Sequence, residues 1–138
     1  MIILDTHVVL EALNPAPSQV VLDWLDRQAP ETLYLTAVSL AELLAGIEAL
    51  PQGHRRLELE QAMARQILPL FEGRILSFDA KAAEAFGKVQ AGARAVGNLI
   101  GFADGAIAAI ASAQGFIVAT RNVRNFRGAG VALINPWD

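Results

Sequence analysis

Five short apolar runs, at residues 2–4, 33–35, 74–78, 116–119 and 131–134, recur between longer stretches with helical periodicity. Strands alternating with helices predict an α/β fold: a parallel sheet of four or five strands, joined by right-handed crossovers and covered by helices on both faces. Val20, Val21, Trp24 and Leu25 share one helical face, which is expected to pack on that sheet. Thr6, Ser18, Ser39 and Asp79 each precede a helical run and are read as its cap. Pro15, Pro17, Pro51 and Gly53 mark breaks, but no repeat, low-complexity tract or linker divides the chain. Its 138 residues, 54% of them hydrophobic, match a single domain spanning residues 1–138.

Composition excludes several chemistries. With no cysteine, the chain has no disulfide, no thiolate nucleophile and no zinc or iron–sulfur site built on Cys. The first ten residues carry no Lys or Arg ahead of their apolar run, and Asp5 interrupts it, so no secretory signal is expected and the expected location is the cytoplasm. Residues 99–119 imitate a membrane span, but Asp104, Gln114 and three glycines break the segment, and a charge in the bilayer core costs about 3 kcal/mol. No membrane partner is expected. The net charge of −3 argues against binding nucleic acid by bulk electrostatics, so an RNA partner would need bound cations and local arginines.

Three acids occupy positions where a strand or helix would ordinarily carry an apolar residue. Asp5 ends the first apolar run. Glu42 has Ala45, Gly46 and Ala49 as its helical neighbours, and Asp104 has Ile107, Ala108 and Ala111. A buried, unpaired carboxylate costs several kcal/mol, so each must shift its pKa, pair with a cation or bind a metal. In a parallel sheet the strand ends share one edge, where a topological switch point opens a crevice. Asp5, Glu42 and the polar Thr120-Arg121-Asn122 all follow strands, and Asp104 joins them if its helix begins near that edge. Hard oxygen ligands without Cys suit Mg²⁺ or Mn²⁺. The bland readings are an N-cap for Asp5, a solvated helix residue for Glu42, and for Asp104 a cap or a partner of Arg94 or Arg121.

Arg121, Arg124 and Arg127 make the one dense basic run. Arg121 and Arg124 are candidates for holding RNA phosphates, whereas Phe126 is read as core. His7 is a weaker site candidate, His54 an exposed helix start, and Trp24 and Trp137 packing residues, Trp137 with a further option in a dimer. The apolar stretch at 57–71 serves either an interface or the core. Two other functional classes compete. Phosphoryl transfer through Asp5 lacks a neighbouring acid or a suitable lysine. A non-catalytic binding module would keep the fold with a site too weak for metal.

Ile3-Leu4-Asp5-Thr6, Ser39-Leu40-Ala41-Glu42-Leu43, Ala103-Asp104-Gly105-Ala106-Ile107-Ala108-Ala109 and Ala119-Thr120-Arg121-Asn122, in this order and spacing, resemble the motifs of the PIN-domain nucleases. Within them the chain looks like a VapC-type toxin of a bacterial toxin–antitoxin pair, near the FitB-like branch, which the closing Asn135-Pro136-Trp137 also fits. The resemblance implies a PIN-like three-layer sandwich and a metal-dependent endoribonuclease. It implies a homodimer held inactive by a small DNA-binding antitoxin. It implies that Asp5, Glu42 and Asp104 bind Mg²⁺ or Mn²⁺, with Thr120 in support; Thr6 is read as a further supporting residue and Asn122 as orienting a water or an outer ligand. Members commonly carry Asp where this chain has Asn122 or Asn125; an amide accepts hydrogen bonds there but brings no charge.

Overall fold

Strands β1 (Ile2–Leu4), β2 (Leu33–Thr36), β3 (Ile75–Leu76), β4 (Ile117–Ala119) and β5 (Leu133–Ile134) form one sheet in the order β3-β2-β1-β4-β5, with every neighbouring pair parallel. This is a computed structural model, and it describes residues 1–138. The five strands coincide with the five apolar runs. β3 and β5 are shorter than the runs that announced them, because each lies at a sheet edge with a hydrogen-bonding neighbour on one side only.

The pleat divides the core in two. Ile2, Leu4, Leu33 and Leu35 point into one layer, where they meet Val8, Leu43, Met63 and Phe71. Ile3 and Val118 point into the other, against Ile107, Ala108, Ala111 and Val89. Full burial of a side chain such as Ile3 or Leu35 stabilises by about 1.5–3 kcal/mol. The helices of the first layer are α1 (Thr6–Leu13), α2 (Gln19–Asp26), α3 (Ala37–Glu48), α4 (His54–Ala62) and the short α5 (Leu68–Leu70); α6 (Ala80–Ala95) and α7 (Phe102–Gln114) cover the other. The result is the expected three-layer sandwich.

Two caps sit earlier than the sequence suggested. Thr6 and Ser39 are inside their helices; Asp5 caps α1 and Thr36 caps α3, its hydroxyl accepting from Ser39 N at 3.0 Å. The reason is that β1 and β2 run straight into the following helices, so the last residue of the strand region becomes the cap. Asp79 caps α6 as read, accepting from Ala82 N. Ser18 stands at the cap of α2 without a side-chain bond. Val21 is fully buried, and Trp24 and Leu25 pack on the first layer, but Val20 is 50% exposed: the buried stripe of α2 is narrower than the spacing implied.

In residues 57–71, Leu59, Met63, Ile67 and Phe71 recur every four positions and are buried. A π turn at Met63–Ile67 joins α4 to α5, absorbing the break imposed by Pro69, which has no N–H to donate. The four cation–carboxylate contacts of the chain all lie between Glu48 and Glu60, with Arg56 bridging Glu48 and Glu60 at 2.8 Å each. In the second layer, the loop after β4 presses on α6: a Cβ on Gly92 would lie 2.5 Å from the Gly128 carbonyl oxygen. No helix is long and apolar enough to cross a membrane; α7, the core of the imitation span, stops at Gly115, whose φ of +73° ends it.

Candidate active site

The sheet order places a switch point between β1 and β4, because the chain leaves β1 toward β2 on one side and β4 toward β5 on the other. Asp5 ends β1 there, and Thr120 follows β4. Both are buried, and Thr120 Oγ1 donates to Asp5 Oδ2 at 2.8 Å. The second carboxylate oxygen, Oδ1, accepts from Thr6 N at 2.8 Å. Thr6 Oγ1 in turn donates to Glu42 Oε1 at 2.8 Å, tying α3 to the start of α1. The ends of β1 and β4, the start of α1 and the middle of α3 are thus joined in one chain of hydrogen bonds.

Asp104 lies in the first turn of α7, half-buried at the helix end nearest this edge. Its carboxyl is held above its ordinary proton affinity, first by burial and then by the negative charges of Asp5 and Glu42. Asn125 and His7 act in the opposite direction, Asn125 through a long hydrogen bond of 3.4 Å from Nδ2 to Asp104 Oδ2. Asp104 therefore feels the charge of both other acids, and no Lys, Arg or His forms an ion pair with any of the three. That removes the reading of Asp104 as a partner of Arg94 or Arg121. Asp5 is both buried and occupied at each oxygen, which argues against an attacking nucleophile.

Glu42 departs from its expected surroundings. The buried face of α3 is Ser39, Leu43 and Ile47, whereas Glu42 and its neighbours Ala45, Gly46 and Ala49 are exposed. Small residues were a weak signal, since Ala and Gly suit solvated helix faces as well as cores. Asp104 does stand above the buried Ile107, Ala108 and Ala111. Asn122 is exposed, with its backbone N–H donating to Thr120 Oγ1 at 3.0 Å. The amide touching an acid belongs to Asn125, because the turn Val123–Phe126 swings that residue back toward α7; the sequence named both asparagines but carried no signal to choose between them. Phe126 is buried. His54 is exposed at the start of α4 and pairs with Glu58. Arg127 Nη2 donates to Val96 O, while Arg121 and Arg124 are exposed and make no ion pair.

The donor set is all oxygen, negatively charged and without a cation of its own, which fits a hard divalent ion. No three of these side chains already stand as a closed ligand group. Mg²⁺ binds through one or two carboxylates and keeps several waters, so an open arrangement meets its needs.

Comparisons with known proteins agree on one family. The PIN domain model matches residues 2–131. The VapC ribonuclease Y4jK of Sinorhizobium fredii is 45% identical over 138 residues, covering 100% of this chain and 99% of the relative. Toxin FitB of Neisseria gonorrhoeae is 42% identical over 137 residues, covering 99% of each. A solved structure of FitAB bound to an IR36 DNA fragment contains a chain that superposes with a TM-score of 0.95 at 42% identity, covering 100% of this chain and 96% of that one.

Proposed function

Because the chain belongs to the PIN-domain family, we propose that it is a metal-dependent endoribonuclease, the toxin of a toxin–antitoxin pair, with Asp5, Glu42 and Asp104 as its metal-holding and catalytic acids. The single observation that carries this reading is that Asp104 is repelled by Asp5 and Glu42 at the switch-point edge and that none of the three acids is ion-paired.

Mg²⁺ or Mn²⁺ held there would supply activation of a water and neutralisation of charge on the phosphodiester. The chain's own residues do the rest. Thr6 N and the Thr120 hydroxyl fix both oxygens of Asp5, each of which keeps a further lone pair. Thr6 Oγ1 fixes Glu42. Asp104, in the first turn of α7 and within the field of Asp5 and Glu42, completes the acidic set. Asn125, whose Nδ2 donates to Asp104 Oδ2, steadies that carboxyl, and the exposed Asn122, anchored through its backbone on Thr120, is left to orient a water or an outer ligand. Arg121 and Arg124 offset the net charge of −3 locally and draw in the RNA backbone.

The likeness to FitB and to a DNA-bound FitAB supports a small DNA-binding antitoxin as the inhibiting partner. A homodimer in the cytoplasm is the working form proposed with it. Leu99 and Phe102, 87% and 65% exposed just ahead of Asp104, give a partner an apolar surface beside the site.

One observation favours a second reading: Asn at 122 and 125, together with the open carboxylate arrangement, suits a catalytically weak PIN-fold module that works by binding. A single experiment separates the two. RNA is incubated with the wild-type protein in Mn²⁺, in Mg²⁺ and in EDTA, alongside Asp5→Asn and Asp104→Asn. The proposal expects cleavage that EDTA and either substitution abolish. Cleavage by either variant at the wild-type rate contradicts the assignment, and no cleavage by the wild type leaves the binding module.

A further inference from the structure

Two clefts flank a ridge formed by Arg121 and Asn122, one residue beyond the threonine that holds Asp5. The larger, of about 400 Å³, lies between α1 and the loop after β4, and His7, Glu11, Asn14, Arg121, Asn122 and Trp137 line it. The smaller, of about 350 Å³, runs from Arg121 to Asn125. In the larger, Trp137 is half-buried against the first core layer, and its backbone N–H donates to Asn135 Oδ1 at 3.0 Å. The Arg121 guanidinium carbon sits over the indole, 5.1 Å from the ring centroid. Arg127 is spent on a backbone carbonyl, but Arg121 has no acidic partner, so the indole holds a cation in place one residue beyond Thr120, the residue bonded to Asp5.

The charges in this cleft are arranged by kind. Glu11, whose Oε1 accepts from Ser18 N, lines it on the α1 side and repels phosphate, while its carboxylate and the Asn14 amide can accept from or donate to a base edge. A planar guanidinium backed by an indole is a stacking surface for an unpaired base. We propose that this cleft is a nucleobase subsite for single-stranded RNA, with Arg121 as the stacking platform, Trp137 as the residue that positions it, and the sugar–phosphate led past Arg121 to the acids. The proposal deepens the ribonuclease reading and rests on it for the identity of the ligand.

The test is binding rather than cleavage. In a full-length Trp24→Phe protein, Trp137 is the sole tryptophan, and Asp104→Asn keeps the strand intact. A short single-stranded oligoribonucleotide is titrated while Trp137 fluorescence is read. The subsite predicts saturable quenching, a loss of about tenfold in affinity on Arg121→Ala, no recovery with Arg121→Lys, which restores charge without the plane, and equally weak binding of an abasic strand. Arg121 is exposed, and unchanged melting confirms that its variants fold. Unaltered Trp137 fluorescence, full recovery with Arg121→Lys, or equal affinity for intact and abasic strands overturns it. If the base-dependent binding holds but the wild type cuts no RNA in Mn²⁺, the subsite stands and the cleavage reading falls.

Discussion

Thr120 Oγ1 donates to Asp5 Oδ2 at 2.8 Å, although the two residues are 115 positions apart. The bond spans the switch point itself, and because Thr120 also accepts from Asn122 N, it fixes the start of the arginine-bearing loop against the acid that ends β1. Sheet topology, the acidic site and the arginine-bearing loop meet in this one hydroxyl.

Thr120→Val keeps the shape and removes the hydroxyl. With the buried Asp5 oxygen and the part-buried Asn122 N–H each losing a partner, chemical denaturation should show a loss of about 1–3 kcal/mol. Thr120→Ser should recover most of it. A Thr120→Val protein as stable as the wild type would show that the bond holds nothing together.

Asp104 gives a pH signature in metal-free protein. Its proton affinity in the fold is raised above the ordinary value of 3.8, so between that value and the raised one the folded state binds more protons than the unfolded. Stability contributed by Asp104 is therefore present at low pH and lost as pH rises through its folded pKa. Asp104→Asn removes the loss. In EDTA the variant should melt at the same temperature as the wild type or higher at neutral pH, and its advantage should shrink as pH falls through that window. A variant less stable at neutral pH would mean that Asp104 makes a structural contact outweighing the repulsion.

Gly92→Ala tests how the arginine-bearing loop is seated. Its Cβ would fall 2.5 Å from the Gly128 oxygen, a backbone atom that cannot swing aside. Overpacking of this kind costs about 1–3 kcal/mol, read as a lowered denaturation midpoint. Gly87→Ala, on the same helix but with open space around it, should be neutral or slightly stabilising.

Much of the fold was legible because period and length leave little choice: five apolar runs between helical stretches admit few arrangements other than a covered parallel sheet. Asp5 and Asp104 were legible for the opposite reason, being carboxylates where burial penalises them. Glu42 was found by the same argument but for an unsound reason, since its alanine and glycine neighbours face solvent. What the chain could not show was who meets whom across long separations. Asn125 reaching Asp104 depends on how one turn folds back, and Arg121 over Trp137 depends on the C-terminal residues returning to the β4 end. Neither leaves a periodic or compositional trace.

The central claim is that Asp5, Glu42 and Asp104 form one divalent-cation site, and thermal melting against increasing Mn²⁺ tests it most directly. Binding to the folded state alone raises the melting temperature in proportion to the logarithm of ligand beyond its Kd. The wild type should melt progressively higher as Mn²⁺ is added, whereas Asp5→Asn and Asp104→Asn should respond weakly or not at all. A wild type indifferent to Mn²⁺, or variants stabilised as much as it is, would contradict the claim.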